Sequence, residues 1–422
     1  MPGTYRHQSD KITTSHERPR EQAGQRHRWR RGLAGLGIAT LLATAGSLAS
    51  TTPVHALPSD DQAGVSVSPD ATASVNGRVR VVAYHNNTLY VGGDFTRARY
   101  GGKTYRRHHV AAINATTGKL LAWNPRANGD VEALAVDKAS NKVYIGGDFS
   151  KVGGKSRVRL ARVNGHRKGS VNKHWSHSAN KQVRALTVAN GRVYAGGFFT
   201  KIDGKPRQEL AAFSLATGGL GSKWKPSAVG GMVHAIAATK KRVYIGAEAD
   251  TLNGHSQFGN LGAVNPNNGS TISAFSSHVS YRVYQIAVGE HGVYAAADGK
   301  GGHLRAFRFD GSNRWDLTAD GAFEAVTIYN HQLYVGGHFD HICNTNRVGS
   351  HGDCLDGQVQ RKKLALVGFA AGVQSWAPQA NSVVGVVSLA HNIPRGLVAA
   401  GGDFTAFNFG QDPQPHVAQF SS

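Results

Sequence analysis

Apolar and polar positions alternate with a period of two over short runs such as Val131-Glu132-Ala133-Leu134-Ala135-Val136 and Val183 to Val188. That is the spacing of a strand with one buried face. A tight-turn signal follows, Asn190-Gly191 or Ala139-Ser140-Asn141, and leads into a second apolar strand that ends in a glycine pair. After a polar loop come a third short strand, for example Leu210-Ala211-Ala212-Phe213, a turn at Thr117-Gly118 or Thr217-Gly218, and a fourth segment ending at Trp123, Trp175, Trp224, Phe275, Trp315 or Trp376.

This pattern repeats. Leu89-Tyr90-Val91-Gly92-Gly93-Asp94-Phe95 returns at Val143 to Phe149, Val193 to Phe199 and Leu333 to Phe339, with weaker copies at Val243 to Glu248, Val293 to Asp298 and Val398 to Phe404. The seven copies start at 92, 146, 196, 246, 296, 336 and 401. Four antiparallel strands in a unit of about 50 residues is the signature of a propeller blade. The expected fold is therefore all-β, a seven-bladed β-propeller with four-stranded blades over approximately 78–125, 131–176, 183–226, 233–276, 283–316, 323–378 and 383–420. Only six copies of the aromatic-ended fourth strand are present, because the last unit ends with its third strand, His416 to Phe420. The alternating stretch Gly64-Val65-Ser66-Val67-Ser68, within an N-terminal segment 57–77, is expected to supply the outer strand of blade seven and close the ring.

The repeated V-Y-x-G-G-D-F-T, followed by G-G-K and R-x-x-L-A, resembles the delta-60 repeat family of secreted bacterial β-propellers of unassigned function, and more distantly the propeller repeats of fungal cortical polarity-marker proteins. The resemblance covers residues 65 to 422. It implies a fold and an extracellular role rather than an activity.

Residues 1 to 31 are basic and polar, Gly32 to Ser50 carries no charge, and Val54 and Ala56 form a small-x-small site. This is the order of a secretory signal peptide cleaved after Ala56, with an uncleaved anchor as the competing reading. Arg30-Arg31 leaves both the general and the twin-arginine export routes open. The whole chain has a formal charge of +22; removing residues 1–56 takes away 8 basic and 3 acidic residues and leaves 40 against 23. Export would place Cys343 and Cys354, the only cysteines, where they can pair. A metal site with His338, His341, His351 and Asp353 is the alternative, without the usual ligand spacing.

Each glycine pair is expected to serve close backbone approach. The acidic residue after it (Asp94, Asp148, Glu248, Asp298, Asp403) is expected to pair within the blade with Arg107, Arg157 or their equivalents, although the third unit has Phe198 there beside Arg207. Loops between second and third strands share one face of a propeller. Their basic residues would form a cationic arc, for which the candidate binding set is Arg107, Lys155, Arg157, Lys205, Arg207, Arg361, Lys362 and Lys363. A solvated basic surface explains the same charges. The insertion Asp340 to Lys363 is long enough to be a recognition loop. The aromatic series and the tyrosines Tyr90, Tyr144, Tyr194, Tyr244, Tyr294 and Tyr334 read as packing residues.

No nucleophile elbow, H-E-x-x-H or phosphate loop is present. No catalytic residue, metal or cofactor is assigned. The sequence favours a secreted, monomeric binding protein or scaffold for an anionic polysaccharide of the cell envelope or an acidic protein, with no membrane span after cleavage. Nucleic acid is not the expected physiological partner, because export removes the protein from it. The competing class is an extracellular hydrolase or lyase with its site at the channel mouth, which leaves no local motif.

Overall fold

The computed structural model describes residues 64–422; the signal-peptide expectation for residues 1–56 lies outside the described residues. Among the described residues there is no α-helix, only three single 3-10 turns at Ser256–Phe258, Ile393–Arg395 and Asn408–Gly410. No described helix is long and apolar enough to cross a membrane.

The strands fall into seven units of one design. In the first, an inner strand Val79–His85 pairs antiparallel with Thr88–Gly93, which pairs with Val110–Asn114. The other inner strands are Asp130–Asp137, Val183–Ala189, Met232–Ala238, Val283–Gly289, Phe323–Tyr329 and Val386–Asn392. Each inner strand packs beside that of the next unit, and the seventh packs beside the first. The backbone N–H of Val82 donates to Ser388 Oγ at 3.1 Å across that last junction.

The glycine pairs explain how close the units come. A Cβ on Gly92 would lie 2.6 Å from Val131 Cγ1 in the next unit, and one on Gly93 would lie 2.0 Å from the Arg78 carbonyl oxygen in its own unit. Gly146 and Gly196 stand likewise against Val183 and Val233, and a Cβ on Gly401 would lie 2.6 Å from Val79 Cγ1. One glycine admits the neighbouring valine and the other admits the inner strand. Opposite the pair, every inner strand carries a β-bulge, between Val79 and Val81 in the first unit and at the equivalent place in the other six. The bulge persists opposite Ala296-Ala297, where the fifth unit lacks glycine, so it belongs to the ladder and not to glycine alone.

The fourth strand departs from expectation. It is a full ladder only in the fifth unit, Asn313–Ala319 along Gly302–Phe307. In five other units it shrinks to one bridge, such as Ile113 to Leu120 or Val163 to Val171. The aromatic residue of the segment docks on the following unit, in the shortened segments and in the fifth unit's full ladder alike. Trp123 Nε1 donates to the Asn164 carbonyl at 2.7 Å, Trp224 Nε1 to Asn265 at 3.1 Å and Trp315 Nε1 to Phe369 at 2.8 Å. The rings also meet the buried tyrosines edge-on, Tyr90 against Trp123 at 5.0 Å and Tyr334 against Trp376 at 5.1 Å between centroids, a favoured aromatic geometry.

In the seventh unit the outer edge is occupied from the other end of the chain. The N–H of Ser66 donates to the Ser421 carbonyl and that of Asp70 to Gln419, at 2.8 and 2.7 Å. Trp376 Nε1 donates to the Ser66 carbonyl at 2.9 Å, as Trp123, Trp224 and Trp315 do to the unit that follows them. Val65 is buried in the same cluster as Trp376 and Phe420. Ser74–Val75 then pairs with Arg99 and Ala98 of the first unit.

Gly401→Ala is expected to destabilise the protein by roughly 1–3 kcal/mol through overpacking against Val79. A lowered midpoint in chemical denaturation, with secondary structure retained in far-ultraviolet circular dichroism, is the measurement that checks it.

Candidate functional site

Between second and third strands the first three units each raise a two-stranded hairpin: Arg97–Tyr100 with Lys103–Arg106, Lys151–Val152 with Lys155–Ser156, and Lys201–Ile202 with Lys205–Pro206. Both central turn residues have positive φ, as at Gly153 (56°) and Gly154 (75°), which suits strand twist in tight hairpins. One asparagine per unit fixes the hairpin base. Asn76, Asn128 and Asn180 each accept two backbone N–H donors through Oδ1, at 2.7 to 2.9 Å. Arg97, Arg99, Lys103, Arg106, Lys151, Lys155, Lys201 and Lys205 are all exposed.

Other members of the candidate set are turned inward. Arg107 Nη2 donates to the Leu121 carbonyl at 2.7 Å, Arg157 to Asn172 at 2.8 Å, Arg207 to Gly221 at 2.7 Å and Arg361 to Gln374 at 2.7 Å. These carbonyls sit where the fourth segment breaks off, so each guanidinium replaces the next rung of the ladder. Arg157 and Arg207 are buried. Lys363 is buried too, donating to the His338 carbonyl and lying 2.9 Å from Asp340 Oδ1. Lys155 and Lys205 remain exposed, while Lys362 is half-buried with Nζ 5.5 Å above the Phe409 ring.

The anticipated partnership of Asp94 with Arg107 and of Asp148 with Arg157 is absent. Asp148 pairs with Arg159 at 2.9 Å, and Asp94 with Arg80 at 3.4 Å. Arg159 occupies a left-handed position, φ 63°, shared by His109, Glu209, Lys363 and His416 ahead of their third strands. The third unit shows why the alternative fails there: Phe198 replaces the acid and Glu209 replaces the base. Lys181 lies over the Phe198 ring at 4.2 Å. Burial, against the pull of Lys181, pushes the Glu209 carboxyl up to about 7.

The insertion of the sixth unit forms a hairpin, His341–Cys343 with Gln358–Gln360, that joins the fifth unit's sheet through Ala319 and Ile342. Cys343 and Cys354 are disulfide-bonded with Cα atoms 5.1 Å apart, so neither thiol is available to a metal.

Sequence reasoning missed a second site. The seven bulges each release one extra side chain from the ladder: Arg80, Glu132, Arg184, His234, Tyr284, Glu324 and Val387. All but Glu324 line a cavity of about 200 Å³ bounded by six of the seven inner strands. Glu132 is buried and ion-paired with Arg184 Nη1, and it lies 3.3 Å from Arg80 Nε without hydrogen-bond alignment. Burial raises its carboxyl above the ordinary value against the pull of Arg184 and Arg80. His234 has both ring nitrogens shielded with no protein partner. Burial, then the neighbouring Arg184 and Arg282, hold it down at about 4. The signal that could have revealed this set is a polar residue in the middle of V-x-A, as in Val131-Glu132-Ala133, Val183-Arg184-Ala185 and Val233-His234-Ala235.

A family model described as a domain of unknown function (DUF5122) β-propeller matches residues 138–165. Among solved structures, the WD40 β-propeller domain of Doa1 superposes with a TM-score of 0.54 at 11% identity, over 84% of this chain and 96% of that one. Raptor from Chaetomium thermophilum gives 0.52 at 10% identity, over 84% of this chain and 28% of the longer one. Comparison with curated proteins finds no match. The chain is thus a β-propeller repeat protein by fold.

Arg157→Ala is expected to cost roughly 1–3 kcal/mol, because it strips a donor from buried carbonyls, whereas Lys155→Ala stays within about 0.5 kcal/mol. Thermal unfolding of the two variants separates strut from surface charge. Glu209 adds a pH signature. Its carboxyl ionises near 4.5 in the unfolded chain and near 7 when folded, so wild-type stability falls as pH rises through that interval. Glu209→Gln should match wild type below about pH 4.5 and gain on the order of 2 kcal/mol above about pH 7, read from denaturation midpoints across pH.

Proposed function

We propose that this protein is a secreted, monomeric binding propeller. In that reading its seven units are blades of one ring, closed by the N-terminal segment on the outer edge of the seventh, and its exposed hairpin face recognises an anionic polymer of the cell envelope. The observation that carries the reading is the row of lysines and arginines on three successive hairpins. Among these hairpin residues only Asp203 is acidic, and it is engaged by His177 at 2.6 Å. Charges left unpaired in this way create a surface field that attracts a polyanion and screens with salt. The buried arginines of the same loops hold the hairpin bases and fourth segments in place, so their part is support and the lysines make the contact. A polymer suits the surface, because the three hairpins offer a broad cationic strip without an enclosing pocket.

An extracellular hydrolase or lyase acting at the channel mouth is the second reading. What favours it is a raised carboxyl, Glu132, near an unpartnered His234. What weighs against it is that Glu132 is held by two guanidinium groups, which keeps it from free proton exchange.

The test is binding of polygalacturonate and of neutral dextran, each at low and high salt, to wild type and to a variant with Lys103, Lys151, Lys155, Lys201 and Lys205 changed to Glu. Wild type should bind polygalacturonate and not dextran, with affinity falling as salt rises. The variant should lose about tenfold or more, equivalent to about 1.4 kcal/mol. Retained binding in a correctly folded variant removes the hairpin face as the site.

A further inference from the structure

The channel mouth carries a second site that the hairpin face does not explain. Its side chains come from one structural device: at the same rung of each inner strand a bulge inserts an extra residue and turns it inward. In the first five units that residue is Arg80, Glu132, Arg184, His234 or Tyr284, all capable of polar recognition. The structure itself does not demand polarity there, since the seventh unit accommodates Val387.

Charges at this end of the ring cancel locally. Glu132 is bracketed by Arg80 and Arg184, and Arg282 lies 2.6 Å from Glu248 and 3.9 Å from Asp298. With Asp94 on Arg80 at 3.4 Å, three guanidinium groups thus face four carboxylates, and no positive charge is left over. A small anion entering here meets no net positive field and must approach carboxylates. The mouth instead offers dense donors and acceptors without net positive charge. At its centre His234 is neutral, so one ring nitrogen donates and the other accepts, and neither has a protein partner. Two buried polar atoms left without partners destabilise the empty site, a penalty that a hydroxylated guest relieves. Tyr284, whose ring centroid lies 5.6 Å from that of His234, supplies the aromatic surface that covers apolar carbon faces.

We propose that the channel mouth binds a small, uncharged, polyhydroxylated molecule of the size of one sugar residue, with its hydroxyls on His234, Glu132 and Arg184 and a carbon face toward Tyr284. A hydroxyl donates and accepts at once, which is the complement of a neutral imidazole between ion-paired carboxylates and guanidiniums. The site is separate from the lysines of the hairpins, so the charge-reversal variant above should retain it.

The experiment is saturation-transfer NMR on the full chain with D-glucose, D-galactose, D-mannose, N-acetyl-D-glucosamine and myo-inositol, and in parallel with inorganic phosphate and acetate. It is run at about pH 5.5 and about pH 7.5, on either side of the ordinary histidine value. The expected result is binding of at least one neutral compound with equal affinity at both pH values, accompanied by shifts of the His234 ring nitrogens in the wild type. His234→Leu should weaken it about tenfold, and His234→Gln, which keeps a donor and an acceptor, should restore part of the loss. The ring-nitrogen shifts in wild type decide the matter if His234→Leu fails to fold. No binding by any neutral compound, binding that leaves the His234 nitrogens unmoved, or binding of phosphate or acetate with proton uptake would each overturn the proposal.

Discussion

The structure depends on one close approach, at the glycine-rich end of the second strands, where the next unit's valine side chain and the inner strand's backbone both crowd in. Without a Cβ at Gly92 or Gly401, the valine of the following unit enters; without one at Gly93 or Gly147, the inner strand's carbonyl comes within its ladder. A sheet that must pack on both neighbours around a narrow centre has its tightest crowding there, and steric exclusion rises too steeply for a methyl group to be absorbed cheaply. The bulge opposite the pair is the geometric companion of this crowding. It turns one residue per unit out of the ladder toward the centre, so the contact that sets the spacing of units also supplies the lining of the channel mouth.

The outer edge is managed by different means. Five units let the fourth segment go after a single bridge, and the lost hydrogen bonds are recovered in two ways. In four of them an arginine from the preceding loop reaches the last carbonyl, and in three the tryptophan indole reaches the next unit. Both are directed bonds from side chains that carry large buried area, and both tie neighbouring elements where a longer strand would have tied only its own sheet. The same logic makes the N-terminal segment effective: Ser66 and Asp70 satisfy the open edge of Val417–Ser421, while Trp376 treats Ser66 as it would the third strand of a following unit.

Charge is sorted by these packing demands. Arginines near the fourth segment are engaged by carbonyls, and acidic residues after the glycine pairs are neutralised by Arg80, Arg159 or Arg282. The lysines at the hairpin tips stay free. A strongly basic composition therefore resolves into a buried scaffold of guanidinium groups, an ion-paired cluster among the inner strands and an exposed cationic strip. Glu209 is the exception: in the unit where Phe198 removes the acid, the carboxyl is buried without a strong partner and its protonation equilibrium moves to neutral pH.

The repeat, the strand spacing, the packing role of Tyr90 and Trp123 and the disulfide between Cys343 and Cys354 were legible in the sequence, because periodicity, turn chemistry and cysteine parity are local properties of the chain. The partners of Arg107, Arg157 and Arg207 were not. Their sequence neighbours include an aspartate, but at φ 63° Arg159 is the residue turned toward Asp148, and backbone handedness at one position is settled by the surrounding sheet. The truncation of the fourth strands was likewise hidden, since Leu120 and Val171 suit a strand yet form a single bridge each. The convergence of Arg80, Glu132, Arg184, His234 and Tyr284 was decided entirely by tertiary structure. These residues lie about one repeat apart, and no local rule relates them; a bulge repeated at the same rung of successive inner strands brings them to one cavity.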